Sequence, residues 1–106
     1  MKKAVVLGAG ISGLASAALL AQAGFEVTVL ERNSWLGGKS RRVDVAGQRM
    51  DTGPALVTFA EVWQQFLETY DSLGAAKHSA VPAIEFTKLN EVGRYFFREP
   101  VTDLPV

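Results

Sequence analysis

The chain contains no cysteine. That excludes a disulfide framework, a thiolate metal centre and a cofactor linked through sulfur. A single histidine, His78, excludes a histidine-rich metal cluster, and no metal site is expected. The formal net charge is zero, so there is no bulk attraction to nucleic acid and no nucleic-acid partner is expected. No run of about 20 uninterrupted apolar residues occurs, as a spanning helix would need. The opening imitates a secretory leader, with Met1-Lys2-Lys3 ahead of Ala4 to Leu20 and then Ala21-Gln22-Ala23. Three glycines interrupt its apolar stretch, so no signal peptide is expected and the location expected is cytoplasmic. Repeats and low-complexity segments are also missing.

What is present fits a small folded protein. The 106 residues bound it to one domain, and 48% hydrophobic residues argue against disorder. Charge is uneven: residues 1–50 carry seven Lys/Arg against three acids, and residues 51–106 carry four against eight. A basic first half suits a nucleotide anion.

The strongest pattern lies between Ala4 and Glu31. An apolar run, Ala4 to Leu7, leads into Gly8-x-Gly10-x-x-Gly13, then a small-residue helical stretch, Gly24, a second apolar run and Glu31. This is the dinucleotide-binding βαβ fingerprint in its full context. Gly8 permits the turn off the strand, Gly10 lets backbone approach a pyrophosphate, and Gly13 lets helix and sheet approach closely. The helix start turns free N–H groups and a positive dipole end toward phosphate. Glu31 is placed to accept hydrogen bonds from a ribose.

Strands are expected at Lys3–Leu7, fully buried, and at Phe25–Leu30. A helix is expected over Ser12–Ala23, with Leu14, Ala17, Ala18 and Ala21 toward the sheet. Arg32–Ser40 reads as a loop, and Arg41–Asp51 as a hairpin turning at Ala46-Gly47. A second helix begins at Thr58, whose capping box is completed by Glu61, and ends near Gly74. Val62, Trp63, Phe66, Leu67, Tyr70 and Leu73 form its apolar stripe, which reads as core or, more sharply, as the wall of an apolar channel. Ala75 to Val81 is a linker. Ala83–Leu89 and Arg94–Arg98 read as a second hairpin around Asn90–Gly93, leaving Val101–Val106, with Pro105, outside regular structure. One βαβ unit cannot complete a parallel sheet, so a longer protein is expected, with an open edge or apolar face through which this segment can self-associate.

Two further features favour a flavin over a nicotinamide. Gly37-Gly38-Lys39 puts a glycine doublet and a cation where a nicotinamide dehydrogenase would continue into another βα repeat. Asp51-Thr52-Gly53-Pro54, followed by Ala55-Leu56, sets a rigid irregular backbone suited to a flat ring. No catalytic base stands out. Glu61 reads as a cap and Asp51 as a hairpin residue, while Thr58 and His78 also have better structural readings. Ser12 and Ser16 lack a histidine partner at readable spacing, so a hydrolase is not supported.

On VVLGAGISGLASAALLAQAGFEVTVLE, LGGKS and DTGPALVTFAEVWQQFL, residues 4–74 resemble the N-terminus of bacterial phytoene desaturase-type carotenoid desaturases, within the flavin-containing amine oxidoreductase group. The resemblance implies an α/β fold. It comprises a partial Rossmann-like FAD-binding βαβ unit followed by a β-hairpin, an amphipathic helix and a second hairpin. Residues 1–74 would be the N-terminal part of the FAD-binding domain, and 75–106 a linker and the start of a substrate domain. Gly8, Gly10, Ile11, Ser12 and Gly13 would hold the FAD pyrophosphate, with Glu31 on the adenosine ribose and Arg32 beside the adenine. Gly38 and Lys39 would contact the phosphate–ribityl stretch, and Gly53, Pro54, Ala55 and Leu56 would lie near the isoalloxazine. The family more usually has Arg after the doublet and a basic residue two before it; here Lys39 and Trp35 stand there, so charge is kept and bidentate geometry lost.

The implied reaction removes two hydrogens from a C–C bond of a long apolar polyene, with a quinone or O₂ reoxidising the flavin. Any peripheral membrane contact would be made by regions outside this stretch, which alone is expected to be inactive. Three other readings stand beside this one: an amine or porphyrinogen oxidase of the same group, a NAD-dependent dehydrogenase, and a non-catalytic prenyl-escort protein of the same fold. Glu31 permits NAD and repels the 2′-phosphate of NADP.

Overall fold

A computed structural model describes residues 1–80, 82–98 and 101–104. Strand β1 (Lys3–Leu7) runs into helix α1 (Ile11–Gln22), which returns to strand β2 (Glu26–Leu30). The strands pair in parallel, with Ala4 opposite Val27, Val6 opposite Val29 and Leu7 opposite Leu30. Two neighbouring apolar segments become parallel strands here because a helix of 12 residues spans the crossover. Gly24 ends that helix: its N–H reaches Ala21 O at 3.0 Å and the Phe25 N–H reaches Leu20 O at 3.0 Å, the paired bonds of a Schellman motif.

Alternation along the strands sends Ala4, Val6, Val27 and Val29 to the half-buried face. The other face is open, with Leu7 80% exposed, Val5 62% and Leu30 53%. The strands are therefore not fully buried as their composition predicts, because one helix covers only one face. Ala9 is the only fully buried apolar residue among those described. The sheet-facing line of α1 is also rotated from expectation. Ala17 and Ala18 are half-buried as expected, but Leu14 and Ala21 are exposed, while Gly13, Ala15, Leu19 and Leu20 are half-buried.

Strands β3 (Arg42–Val45) and β4 (Gln48–Asp51) form the expected hairpin, with both Ala46 (φ 50°) and Gly47 (φ 81°) left-handed, as a type I′ turn requires. Helix α2 (Ala60–Leu73) starts two residues beyond the expected cap. Phe59 occupies the N-cap and no side chain caps it, so the Thr58–Glu61 box does not form. Glu61 falls at the second helical position, one short of where a capping box needs it. Trp63, Phe66, Leu67 and Tyr70 are half-buried along one stripe, and the Trp63 and Phe66 rings stack at 5.4 Å, while Val62 and Leu73 are exposed.

Gln22 joins the two helices, its amide donating to Tyr70 O at 3.1 Å and to Ala76 O. After α2 a short 3₁₀ turn, His78–Ala80, is pinned by Asp71. The Asp71 carboxylate accepts the His78 backbone N–H at 2.8 Å and meets His78 Nδ1 at 2.7 Å. The backbone bond, foremost, holds the Asp71 carboxyl below its ordinary range.

A second hairpin is present but shifted. Strand β5 (Gly93–Phe96) pairs antiparallel with β6 (Val101–Leu104), not with residues 83–89. The 83–89 segment forms no strand, and Ala83, Ile84 and Phe86 instead border a cleft of about 470 Å³ with Trp63 and Leu67. Val81, Pro105 and Val106 lie outside the described residues. Among the described residues no helix is long and apolar enough to cross a membrane.

Candidate functional site

The end of β1 turns sharply because Gly8 takes φ +99°, which an L side chain rarely adopts, while its N–H stays bound to Leu30 O at 2.8 Å. The next two glycines have different reasons to lack a side chain. A Cβ at Gly13 would lie 2.0 Å from Gly8 O, so Gly13 is required by packing of α1 on β1. Gly10 caps α1 with extended backbone, at φ −72°, open to any residue, and a Cβ there would meet no protein atom within 4 Å. Neither conformation nor packing demands glycine at this position. What Gly10 leaves open is the space in front of the helix start, where the first turn has no acidic side chain to occupy the dipole end.

A second glycine turn closes onto the first. Gly37 N–H donates to Ala9 O at 2.7 Å, and Gly10 and Gly37 form an isolated parallel bridge. Gly37 and Gly38 are both left-handed, at φ 101° and 62°, and a Cβ on Gly38 would sit 3.1 Å from Gly10 Cα. Trp35 braces this turn from outside: its indole N–H donates to Gly38 O at 3.1 Å, and the Arg41 guanidinium lies 3.8 Å from the centre of the indole ring. The segment after β4 is docked in turn, Thr52 bonding Arg41 O through both its N–H (2.9 Å) and its hydroxyl (3.0 Å). Gly53 then presses on Lys39, where a Cβ would be 1.8 Å from the Lys39 carbonyl oxygen. Asp51 pairs with Arg42 at 2.7 Å, as a hairpin residue.

These contacts build one groove from two adjoining clefts. The first, about 480 Å³, is bordered by Gly8, Gly10, Ile11, Ser12 and Gly13 on one side and by Gly38, Lys39 and Pro54 on the other. The second, about 470 Å³, shares Leu7 and Gly8 and runs to Glu31 and Arg32. Gly53 supports the wall from behind, and Ala55 and Leu56 lie outside both clefts. Leu7 and Ser40 also border the groove. Only their adjacency to the two glycine turns could have marked them in the sequence.

Glu31 is tied to the glycine turn. One carboxylate oxygen accepts the Ala9 N–H at 2.8 Å and the other accepts the Asn33 N–H at 3.1 Å. The Ala9 bond first, then the Asn33 bond, holds its carboxyl below the ordinary range, so it is charged at neutral pH. A carboxylate has about four acceptor directions, so acceptor capacity remains for a sugar hydroxyl. The linkage sign follows from the lowered value. The lock is complete above the carboxyl's ordinary range and is lost as pH falls through the lowered value. Amide proton shifts of Ala9 and Asn33 should move together as pH falls through that lowered value. Movement of Asn33 alone would detach Glu31 from the turn.

Among the described residues no group of three or more histidines, cysteines or acids could hold a metal. The groove offers backbone N–H groups, an uncompensated helix start, two cations (Lys39 and Arg32) and one acid (Glu31). It can hold an anion between the two glycine turns and a hydroxylated ring at Glu31.

Known proteins resemble the chain over this same stretch. The chain is 47% identical over 58 residues to a 1-hydroxycarotenoid 3,4-desaturase of Flavobacterium sp. (strain P99-3), covering 55% of this chain and 12% of that protein. It is 40% identical over 75 residues to the phytoene desaturase of Fusarium fujikuroi, covering 71% of this chain and 13% of that protein. A carotenoid 3,4-desaturase of Haloarcula japonica is 44% identical over 61 residues, 58% of this chain and 12% of its own. The matched stretch is thus a small fraction of each relative's length. A family model for the NAD(P)-binding Rossmann-like domain matches residues 6–70, the span that builds both glycine turns, Glu31 and most of α2. The chain belongs to the NAD(P)-binding Rossmann-like domain family.

Proposed function

We propose that this chain is the nucleotide-holding segment of an FAD-dependent oxidoreductase that desaturates a carotenoid or related polyene. The observation that carries the reading is the groove joining Glu31, the Gly8–Gly13 turn and the Gly38–Lys39 turn, with Pro54 at its far end. Open space over Gly10, with nothing in the protein requiring glycine there, fits a pyrophosphate lying against the backbone. The names of the relatives, carotenoid and phytoene desaturases, support the reaction class.

In this reading Glu31 accepts hydroxyls of the adenosine ribose while keeping its bond to Ala9. The start of α1 and Lys39 offset the pyrophosphate charge. Gly37 and Gly38 let the chain pass beside the nucleotide, and Gly53, pressed on Lys39, sets the distance from that turn to Pro54. When bound, the flavin supplies the hydride-accepting chemistry. The chain's own part is binding and orientation, and none of its side chains is assigned a proton transfer. The polyene and its electron acceptor would be handled by regions outside this stretch, as would any contact with a membrane surface.

The test is Glu31→Ala, read by FAD retention in a purified protein carrying this segment. Losing hydrogen bonds to a charged acceptor should weaken cofactor binding on the order of tenfold to a hundredfold. Unchanged flavin absorption per mole of protein would remove Glu31 from the site.

A further inference from the structure

The Gly38–Lys39 peptide has its orientation set by a side chain that does not enter the groove. Trp35 Nε1–H donates to Gly38 O at 3.1 Å, drawing that carbonyl outward, and Arg41 stacks on the indole at 3.8 Å, holding the ring in place. A planar trans peptide points its N–H opposite to its carbonyl. With Gly38 O turned to Trp35, the Lys39 N–H is directed to the other side, where Gly38 and Lys39 border the cleft. Among the described residues that N–H has no hydrogen-bond partner, whereas Ser40 N–H is bound to Gly37 O and Arg41 N–H to Lys39 O. The flipped peptide would force Lys39, which is not left-handed here, to a positive φ, so the turn's own sequence favours the orientation that the Trp35 bond holds. In the flipped state a carbonyl dipole would face the groove and repel an anion.

We infer that Trp35, stacked under Arg41, is a positioning residue: a latch that keeps the Gly38 carbonyl out of the groove and presents the Lys39 N–H to a phosphate anion. The inference rests on the nucleotide reading above and adds a donor and its control to it. It also gives a physical role to an aromatic residue where the resemblance leads one to expect a cation. The cation is supplied six residues later, by Arg41, and acts through the ring.

The test compares two probes, ADP and adenosine, on the whole chain and its Trp35→Phe variant by ¹H–¹⁵N NMR titration. Phenylalanine keeps an aromatic ring for Arg41, though a smaller one, and removes the N–H donor. ADP should move the Lys39 amide proton downfield in the unmodified chain. Trp35→Phe should weaken ADP binding roughly three- to tenfold, the span of one neutral hydrogen bond, and leave adenosine binding unchanged. Equal ADP affinity in the two chains, or equal weakening of both probes, would overturn the latch. So would a response to ADP at Gly10 and Ser12 with Lys39 silent. Silence at Gly10, Ser12 and Lys39 together would overturn the nucleotide reading itself, and the latch with it.

Discussion

Gly13→Ala should destabilise the chain by about 2–3 kcal/mol, although alanine is the better helix former by about 1 kcal/mol. The added Cβ would stand 2.0 Å from the Gly8 carbonyl oxygen, and that oxygen belongs to backbone with little freedom to retreat. Gly8 is held by its N–H bond to Leu30 O and by a left-handed φ, and Ala9 beside it is bonded on both its N–H and its carbonyl. Relief therefore requires α1 to lift from β1, which uncovers Ala4 and Val6. A lower urea midpoint at unchanged m-value is the expected reading. A midpoint equal to that of the unmodified chain would mean that α1 does not seat on Gly8 as described.

Gly10→Ala should give the opposite signature. Its Cβ would meet no protein atom within 4 Å, and the backbone there is extended. The stability cost is that of alanine for glycine at an N-cap, about 1 kcal/mol or less. The methyl group would occupy the space in front of the helix start, so ADP affinity should fall by more than about tenfold, since a pyrophosphate displaced from the backbone loses several hydrogen bonds together. Thermal unfolding and an ADP titration on the same preparation separate the two effects. If Gly10→Ala bound ADP normally, the open space over Gly10 would have no ligand to account for it.

The contrast between these neighbouring glycines explains what could be read from the sequence. The spacing of Gly8, Gly10 and Gly13 between two apolar runs, with Glu31 at the end of the second, is local, and so β1, α1, β2 and the helix end at Gly24 follow from it. The hairpin turning at Ala46-Gly47 was equally local. Association of Gly37 with Gly10, and of Gly53 with Lys39, depends on backbone approaches between segments far apart in sequence, which no periodicity encodes. Trp35 could be seen as an anomaly in the loop, but its partners, Gly38 O and Arg41, are fixed only by the folded turn.

The misplaced features also have physical causes. Thr58 and Glu61 have the spacing of a capping box, yet the helix begins at Ala60 and the box falls out of register. The alternating segment 83–89 suits a strand, but Ala83, Ile84 and Phe86 border a cleft with Trp63 instead, and β5 pairs with β6. Composition marked Val5, Leu7 and Leu30 for burial, whereas a single helix leaves that face of the sheet exposed.

The central claim is that the two glycine turns and Glu31 form one nucleotide groove. An ADP titration of the uniformly ¹⁵N-labelled chain tests it most directly. The account predicts saturable amide shifts at Gly8, Gly10, Ser12, Glu31, Gly38 and Lys39, all fitting one dissociation constant. Shifts confined to residues outside both clefts, or different constants at the Gly10 and Gly38 turns, would contradict it.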